Sequence, residues 1–278
     1  MSQSILIFES DEKFYEIYEL NLRTYLGCDV DLVDNPEQAL DILKHKTYDV
    51  VICRTKFLGE NMAKLVLDYL KDNSIATHTI ALGSSNDDFS QYPCTRLANG
   101  IKLQDIVRAC ADALNVTALM MAKLKVDDYF PIPINYFTHI QDSIVDVFEK
   151  YGEHYNVMIP QFTAFNIAEI EKAKLNGQTQ WYVKKENRLK MVNYITSSLI
   201  SNIDFHTLEE DDQMGAQEVA QKLVSIKLRD FGVTEDTIRL GKMAIRSMAK
   251  STIKTKKIGD MMKKLISNKA SYLFKHIQ

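Results

Sequence analysis

Five short apolar runs in the first 113 residues constrain the fold of this chain more than any other feature of its sequence. They occupy positions 5–8, 30–33, 50–53, 75–82 and 94–97. Such runs of β-branched and apolar residues predict strands that are buried on both faces of a sheet. Apolar residues recur at helical spacing between the runs, and strands that alternate with helices form parallel sheets through right-handed crossovers. The sequence therefore predicts a flavodoxin-like five-stranded parallel sheet covered by helices on both faces.

The segments between the runs carry helix start and stop signals. Ser10 can cap the first helix, and Gly27 can end it. Asn35 can cap the second helix, and Pro36 suits the first helical position, where its missing N–H costs nothing. These signals agree with the alternation of strands and helices.

Composition is that of an ordinary globular chain of about two domains. Its 278 residues are 46% hydrophobic and 26% charged, and the formal net charge is −3. This charge gives no reason to expect a polyanionic partner for the whole molecule. No apolar run reaches the length of about 18 residues that a membrane span requires, so no membrane segment is predicted.

Cysteine and histidine positions argue against a metal or redox site. The cysteines fall singly, at Cys28, Cys53, Cys94 and Cys110. We expect them to be reduced and mostly buried. The histidines do not occur at metal-ligand spacing, and no Gly-rich phosphate loop is present, so neither a metal nor a cofactor is predicted. The N-terminus lacks the pattern of an export signal, and we expect a cytoplasmic protein.

A shift in composition after the first domain predicts two further parts. Pro131 and Pro133 keep the residues before them extended, and two strand-like runs flank a turn at Gly152. A helix ending at Asn176-Gly177 and one more strand complete a small α+β unit, and every later segment has helical periodicity. The predicted parts are a domain at 1–118, a helical linker at 119–126, an α+β module at 127–186 and a helical region at 187–278.

Three strand ends in the first domain resemble the core of a response-regulator receiver domain. The matching segments are ILIFESD at 5–11, YDVVICR at 48–54 and TIALGS at 79–84. The resemblance implies that the third strand should end in an aspartate that is phosphorylated. Arg54 stands at this position, and a guanidinium cannot accept a phosphoryl group. The resemblance therefore implies a pseudo-receiver of a two-component system.

Other receiver positions also depart from the family's pattern. The acidic pair that holds a divalent metal in receivers corresponds to Glu9-Ser10, followed by Asp11. The hydroxyl residue after strand four aligns with Gly83, and the Lys-Pro pair after strand five aligns with Asn99-Gly100. Since the acceptor, the lysine and one metal ligand are all replaced, we expect neither phosphorylation nor a metal. The degenerate pocket implied by the resemblance consists of Glu9, Ser10, Asp11, Arg54, Gly83, Ser84 and Asn99.

Two interpretations of Arg54 stay open at the level of sequence. Its guanidinium could pair with Glu9 or Asp11 and supply the positive charge that metal and lysine supply in receivers. It could instead point into solvent from the strand end. The first interpretation predicts that Arg54→Asp destabilises the fold, and the second predicts no change.

The second half of the chain is similar to the region that precedes the catalytic part of HD-GYP phosphodiesterases. The similarity lies in YFPIP at 129–133, WYVKK at 181–185 and the order of strands, hairpin and helix between them. In that family, helices comparable to 187–278 lead to the catalytic histidine and aspartates, and YLFKH at 272–276 resembles this approach. No His-Asp pair occurs in the chain. Either the protein stops before a catalytic domain, or it ends in a helical remnant.

Basic residues are concentrated near the C-terminus, where positions 242–275 hold ten lysines and arginines and one aspartate. Such a tail could bind DNA, because phosphate neutralisation drives that association. The basic residues alternate with apolar ones at helical spacing, which is typical of a solvated helix face, or of a surface that contacts an acidic loop such as 209–212. The candidate basic patch is Lys250, Lys254, Lys256, Lys257, Lys263 and Lys264.

Together these observations predict a non-catalytic signal-transduction protein that acts through protein–protein contact and inter-domain regulation. Its expected partners are other proteins, another domain of the same protein or a second copy in a homodimer, and not nucleic acid or membrane. One alternative is the regulatory half of a truncated or degenerate HD-GYP cyclic-di-GMP phosphodiesterase, which would be an enzyme if the native chain continues. The other is a DNA-binding response regulator that uses the basic C-terminal helices.

Overall fold

The computed structural model describes residues 3–9, 12–57, 60–83, 89, 91–97, 103–122, 127–203, 224–225, 241–242 and 245. The strands are β1 (Ser4–Phe8), β2 (Asp29–Val33), β3 (Val50–Arg54), β4 (Lys56–Phe57), β5 (Glu60–Asn61), β6 (His78–Leu82), β7 (Cys94–Leu97), β8 (Tyr129–Pro133), β9 (Val147–Tyr151), β10 (His154–Ile159) and β11 (Gln180–Lys184). The α-helices are α1 (Glu12–Leu26), α2 (Pro36–His45), α3 (Met62–Asp72), α4 (Leu103–Ala113), α5 (Ala118–Ala122), α6 (Ile167–Leu175) and α7 (Arg188–Ser201). Two 3-10 helices span Ile134–His139 and Lys185–Asn187.

A five-stranded parallel sheet in the order β2-β1-β3-β6-β7 forms the core of the first domain. This is the flavodoxin-like order, in which the chain reverses direction across the sheet between β1 and β3. Ile5 lies opposite Val50, and both are fully buried because helices cover both faces of the sheet. The flavodoxin-like fold predicted from the sequence is confirmed.

Two details of the first domain differ from the sequence prediction. Strand β6 begins at His78 rather than at 75, because Ile75 donates its backbone N–H to the carbonyl of Leu70 and so closes the end of α3. The short antiparallel pair β4-β5 was not predicted. Two-residue strands are too short to show a periodic pattern in the sequence.

The helix signals at Asn35 and Gly27 are present in the structure, whereas the predicted cap Ser10 lies outside the described residues. Asn35 caps α2, since its side-chain oxygen accepts the backbone N–H of Gln38 at 2.9 Å, and Pro36 is the first helical residue. Gly27 follows α1 with φ +66° and donates its N–H to the carbonyl of Arg23 at 3.0 Å. A left-handed residue at this place is the usual way in which a helix ends on glycine.

The second part of the described chain is an antiparallel sheet in the order β10-β9-β11-β8. Gly152 has φ +58° in the turn between β9 and β10, as the sequence predicted, and Asn166 caps α6. On one face of the sheet Trp181 is fully buried and packs against Phe137 of the first 3-10 helix. Helix α7 packs on this same layer, so it closes the core of the module.

The two parts share one continuous hydrophobic core. Helix α1 lies between them, with the parallel sheet on one side and α7 on the other. In the described part of the chain no helix is both long enough and apolar enough to span a bilayer. All four cysteines are free thiols, with Cys28, Cys53 and Cys110 buried, as predicted.

Candidate functional site

The C-terminal edge of the parallel sheet brings together three residues that the sequence had placed at strand ends. Glu9 follows β1, Arg54 ends β3 and Gly83 follows β6. The strand registers set Phe8 beside Cys53 and Arg54 beside Leu82, so the three ends lie at one level. In open α/β sheets this edge, at the reversal of strand order, is where ligands bind.

Arg54 and Glu9 form a buried ion pair at this edge. The Nε atom of Arg54 donates to Oε2 of Glu9 at 2.6 Å. The Glu9 side chain is 1% exposed and that of Arg54 is 15% exposed, so water screens the pair little. The pairing proposed for Arg54 is present, and the solvent-facing alternative is wrong.

Phe14, in the first turn of α1, completes the surroundings of Arg54. The centre of the guanidinium lies 4.7 Å from the centroid of the Phe14 ring, the geometry of a cation–π contact. The ring of Tyr18, one turn further along the helix, stacks on Phe14 with the centroids 6.1 Å apart. The guanidinium is thus held between a carboxylate and an aromatic face, which fixes its orientation.

Position 83 favours glycine for two reasons, its backbone conformation and the lack of space for a Cβ atom. Its φ is +113°, and a Cβ atom built there would lie 2.7 Å from Oγ1 of Thr55, which is itself 1% exposed. The N–H of Thr55 donates to the carbonyl of Leu82, and the N–H of Gly83 donates to the carbonyl of Leu97, both at 2.8 Å. These bonds continue the sheet beyond the strand ends and keep the edge compact.

Several predicted residues lie outside the described residues. These are Ser10, Asp11, Ser84 and Asn99 of the pocket, and Lys250, Lys254, Lys256, Lys257, Lys263 and Lys264 of the basic patch. Of the predicted pocket, the structure therefore brings together Glu9, Arg54 and Gly83. Phe14 and Thr55 were missed, although an aromatic residue in the first turn of a helix that follows β1 could have been recognised as a neighbour of the strand end.

The arrangement does not fit the divalent metal of receiver domains. The carboxylate of Glu9, which would be a metal ligand, is engaged by the guanidinium of Arg54. A cation that is covalently part of the chain stands where a metal would need an oxygen ligand. Within the described ranges no cluster of histidine, cysteine or carboxylate side chains could hold a metal ion.

Cys53, next to Arg54, is not a reactive group. Burial, with a smaller contribution from Cys94, raises the pKa of its thiol to about 12. A thiol with this pKa is protonated at neutral pH and is a poor nucleophile. The site therefore offers a fixed, neutralised ion pair and no activated nucleophile among its described residues.

The strand order and the flanking helices define a flavodoxin-like fold, and the solved structures that resemble the chain include receiver domains. No protein-family model matches the chain, and no curated protein matches it. The receiver domain of the Francisella response regulator 1452 is 16% identical, covers 42% of this chain and 100% of its own, and has a TM-score of 0.36.

Two further solved structures are of the same kind. A CheY-like receiver domain from Methylobacillus flagellatus is 19% identical over 41% of this chain and 99% of its own, with a TM-score of 0.34. The signal receiver domain of an HD domain-containing protein from Pseudomonas fluorescens Pf-5 is 18% identical over 41% of this chain and 96% of its own, with a TM-score of 0.34. The fold assignment itself rests on the strand order and register of the parallel sheet.

Proposed function

We propose that this chain is a non-catalytic signal-transduction protein whose receiver-like domain works without phosphorylation. Its outputs are contacts with other proteins and with the other parts of the same chain. The observation that carries the proposal is the buried ion pair between Arg54 and Glu9 at the edge where a receiver reacts. Within this pair, the guanidinium of Arg54 is a permanent positive charge, which takes the place of the charge that a metal and a lysine supply in receivers.

The chemistry of Arg54 supports the proposal. Phosphoryl transfer to a receiver needs a carboxylate acceptor and a metal that neutralises the incoming charge. Arg54 has no nucleophilic oxygen, and its Nε–H is already bonded to Glu9 at 2.6 Å. Displacing it would leave the carboxylate of Glu9 buried without its partner, which is unfavourable by about 3–5 kcal/mol.

Exposure to phosphodonors tests the proposal. The protein is incubated with acetyl phosphate and Mg²⁺, and separately with beryllofluoride, beside an ordinary receiver as positive control. We expect intact-mass spectra without a phosphoryl adduct and amide NMR spectra without shifts at the ends of β1, β3 and β6. A stable acyl phosphate on any carboxylate of this chain would refute the proposal.

The regulatory half of an HD-GYP cyclic-di-GMP phosphodiesterase is the second candidate. What favours it is the order of elements from β8 to β11, which is the order expected from the resemblance to the region before the catalytic part of that family. The test is cyclic-di-GMP hydrolysis by the complete natural protein. Turnover that disappears when a downstream His-Asp pair is replaced would favour this candidate, and absence of turnover would refute it.

A further inference from the structure

Helix α1 is buried towards the parallel sheet and also towards α7, while Arg23 is exposed. Within residues 14–26, whose burial the structure describes, eight are buried, and they include Leu20 and Thr24 as well as the positions that face the sheet. A helix that covers one face of a sheet normally buries one stripe and exposes the other. The additional burial comes from α7 and the first 3-10 helix, which pack on the side of α1 that faces away from the sheet.

The N-terminal end of α1 contacts the ion pair. Phe14 lies under the guanidinium of Arg54, and Tyr18 stacks on Phe14. A change in the position of Arg54 would therefore have to move these two rings or separate from them. Both rings are almost fully buried, and closely packed interiors transmit displacement because they contain little free volume.

The middle and end of α1 are tied to α7 by specific hydrogen bonds. The side-chain amide of Asn21 donates to Oγ1 of Thr196 at 2.8 Å, and both residues are buried. The hydroxyl of Tyr25 bonds to Oδ1 of Asn193 at 3.0 Å. Because a buried polar group without a partner is unfavourable, the Asn21–Thr196 bond favours one position of α7 along α1, and the exposed Tyr25–Asn193 bond agrees with it.

The first 3-10 helix contacts the glutamates Glu16 and Glu19 of α1. The Tyr136 hydroxyl donates to Oε2 of Glu19 at 2.8 Å and contacts the carbonyl of Glu16 at 3.1 Å. Nε2 of His139 lies 3.4 Å from Oε2 of Glu16. The first 3-10 helix and α7 therefore contact α1 along most of its length, from Glu16 to Tyr25.

We infer that α1 is the coupling surface of this protein: residues 127–203, which comprise the α+β module and α7, are its permanent partner, and changes at the Glu9–Arg54 pair reach α7 through α1. The inference deepens the proposed function and rests on it. A helix of 15 residues spans about 22 Å, so one rigid element connects the edge of the sheet to α7. The alternative is that α1 is a passive support and that the two ends respond independently.

Amide hydrogen exchange on the full chain tests the inference. Arg54→Lys keeps the positive charge and removes the Nε–H that bonds to Glu9, so the fold should persist with a weakened pair. We expect exchange in α7 to accelerate roughly 3- to 10-fold, the range of coupling found along packed networks. Exchange in α6, which packs on the 3-10 helix, should change less.

Three comparisons decide the result. Arg108→Lys, the same substitution at an exposed position of α4, should leave exchange in α7 unchanged. Equal acceleration of amide exchange in α6 and α7 would mean that the whole fold is destabilised, and it would overturn the inference. Unchanged exchange in α7 would overturn it as well. In a Phe14→Leu background, Arg54→Lys should have no further effect on α7, because the connecting ring is gone.

Coupling between two sites must act in both directions. Thr196→Val removes the acceptor of the Asn21 amide in α7, far along the chain from the sheet edge. We expect the Nε–H signal of Arg54 in NMR spectra to shift and exchange faster in this variant. No change would overturn the inference. Phosphodonor experiments are unaffected by either outcome, so failure here is distinguishable from failure of the proposed function.

Discussion

Ion pairs between distant parts of the chain lie at the C-terminal edge of the parallel sheet and at the outer edge of the antiparallel module. Arg54 and Glu9 are 2.6 Å apart, and Lys185 and Asp128 are 2.5 Å apart. Their surroundings differ completely. The side chains of the first pair are 15% and 1% exposed, whereas those of the second are 51% and 81% exposed.

The comparison shows that burial, rather than distance, decides what an ion pair does. In water, the attraction between two charges is weak, and two long side chains lose freedom when they pair. The Lys185–Asp128 pair raises the pKa of Lys185 through a hydrogen bond, yet both groups stay hydrated. At the buried edge of the parallel sheet, removal of one partner leaves the other side chain with a buried charge and no counter-charge.

The largest effect is expected at the buried pair. Arg54→Asp places a second carboxylate beside Glu9, and we expect the free energy of unfolding at neutral pH to fall by about 3–5 kcal/mol. Urea denaturation measures this change. The matched control is Arg108→Asp on the exposed face of α4, which should change stability by less than about 0.5 kcal/mol. Equal effects of the two substitutions would contradict the assignment of the pair.

A smaller loss is expected from backbone strain at the same edge. Gly83→Ala forces a Cβ to within 2.7 Å of Oγ1 of Thr55 at a φ of +113°, and we expect a loss of about 2–3 kcal/mol. Gly177→Ala is the control, since Gly177 has φ +81° and nothing within 4 Å of its Cβ position. The difference between the two variants in urea denaturation isolates the contact with Thr55. If Gly177→Ala costs as much, the edge is not unusually tight.

The next largest loss of stability is expected from the hydrogen bond between the uncharged side chains of Asn21 and Thr196. Thr196→Val keeps the shape of the side chain and leaves a buried N–H of Asn21 without its acceptor. We expect a loss of about 1–2 kcal/mol in the free energy of unfolding. Thr138→Val is a suitable control, because the Thr138 hydroxyl is bonded at an exposed place in the module. A loss no larger than that of the control would show that the interface does not depend on this bond.

Alkaline pH should lower the free energy of unfolding through the buried thiol of Cys28. Burial raises the pKa of this thiol from its ordinary value of 9.0 to about 12. Above pH 9 the unfolded chain ionises while the folded chain keeps the proton, so stability is complete below that pH and falls as the pH rises towards 12. The slope contributed by this thiol is about 1.4 kcal/mol per pH unit at most.

Cys28→Ala should make the alkaline loss of stability shallower, whatever its effect at neutral pH. The measurement is urea denaturation at several pH values between 8 and 11, in reducing buffer. Cys94, which is only partly buried, provides the comparison, and Cys94→Ala should change the slope less. Identical slopes in the wild type and Cys28→Ala would mean that the thiol is not protected from water.

The exposed pair should show the smallest effect. Lys185→Ala removes the partner of Asp128, and both groups are free to hydrate. We expect the urea midpoint to stay within experimental error of the wild type, and any small difference to disappear at high salt. A clear loss of stability that persists in high salt would break the contrast between the two edges.

Local patterns in the sequence were sufficient for most of the fold. The apolar run at 50–53 predicted β3, the Asn35-Pro36 pair predicted the start of α2, and Gly152 predicted a turn, because each depends on a few adjacent residues. The site was predictable in part. Parallel strands end at one edge, so Glu9 and Arg54 could be expected near each other, and the structure confirms their contact.

The packing of α1 between two layers could not be read from the sequence. Asn21 and Thr24 are polar residues in a helix, and polarity alone suggests a solvent-facing surface. Thr196, which bonds to Asn21, lies 175 residues away. No periodic pattern connects residues at such a separation, because the contact exists only after both layers have folded.

What the sequence determined by itself was the order of strands and helices and the chemistry available at each strand end, including the guanidinium of Arg54 at the end of β3. The tertiary structure alone decided that the guanidinium of Arg54 is largely buried, lies against Phe14 and pairs with Glu9. It also decided that α7 and the first 3-10 helix pack against α1. The physical reason is that propensity and patterning act over a few residues, whereas burial and pairing depend on which distant surfaces exclude water from each other.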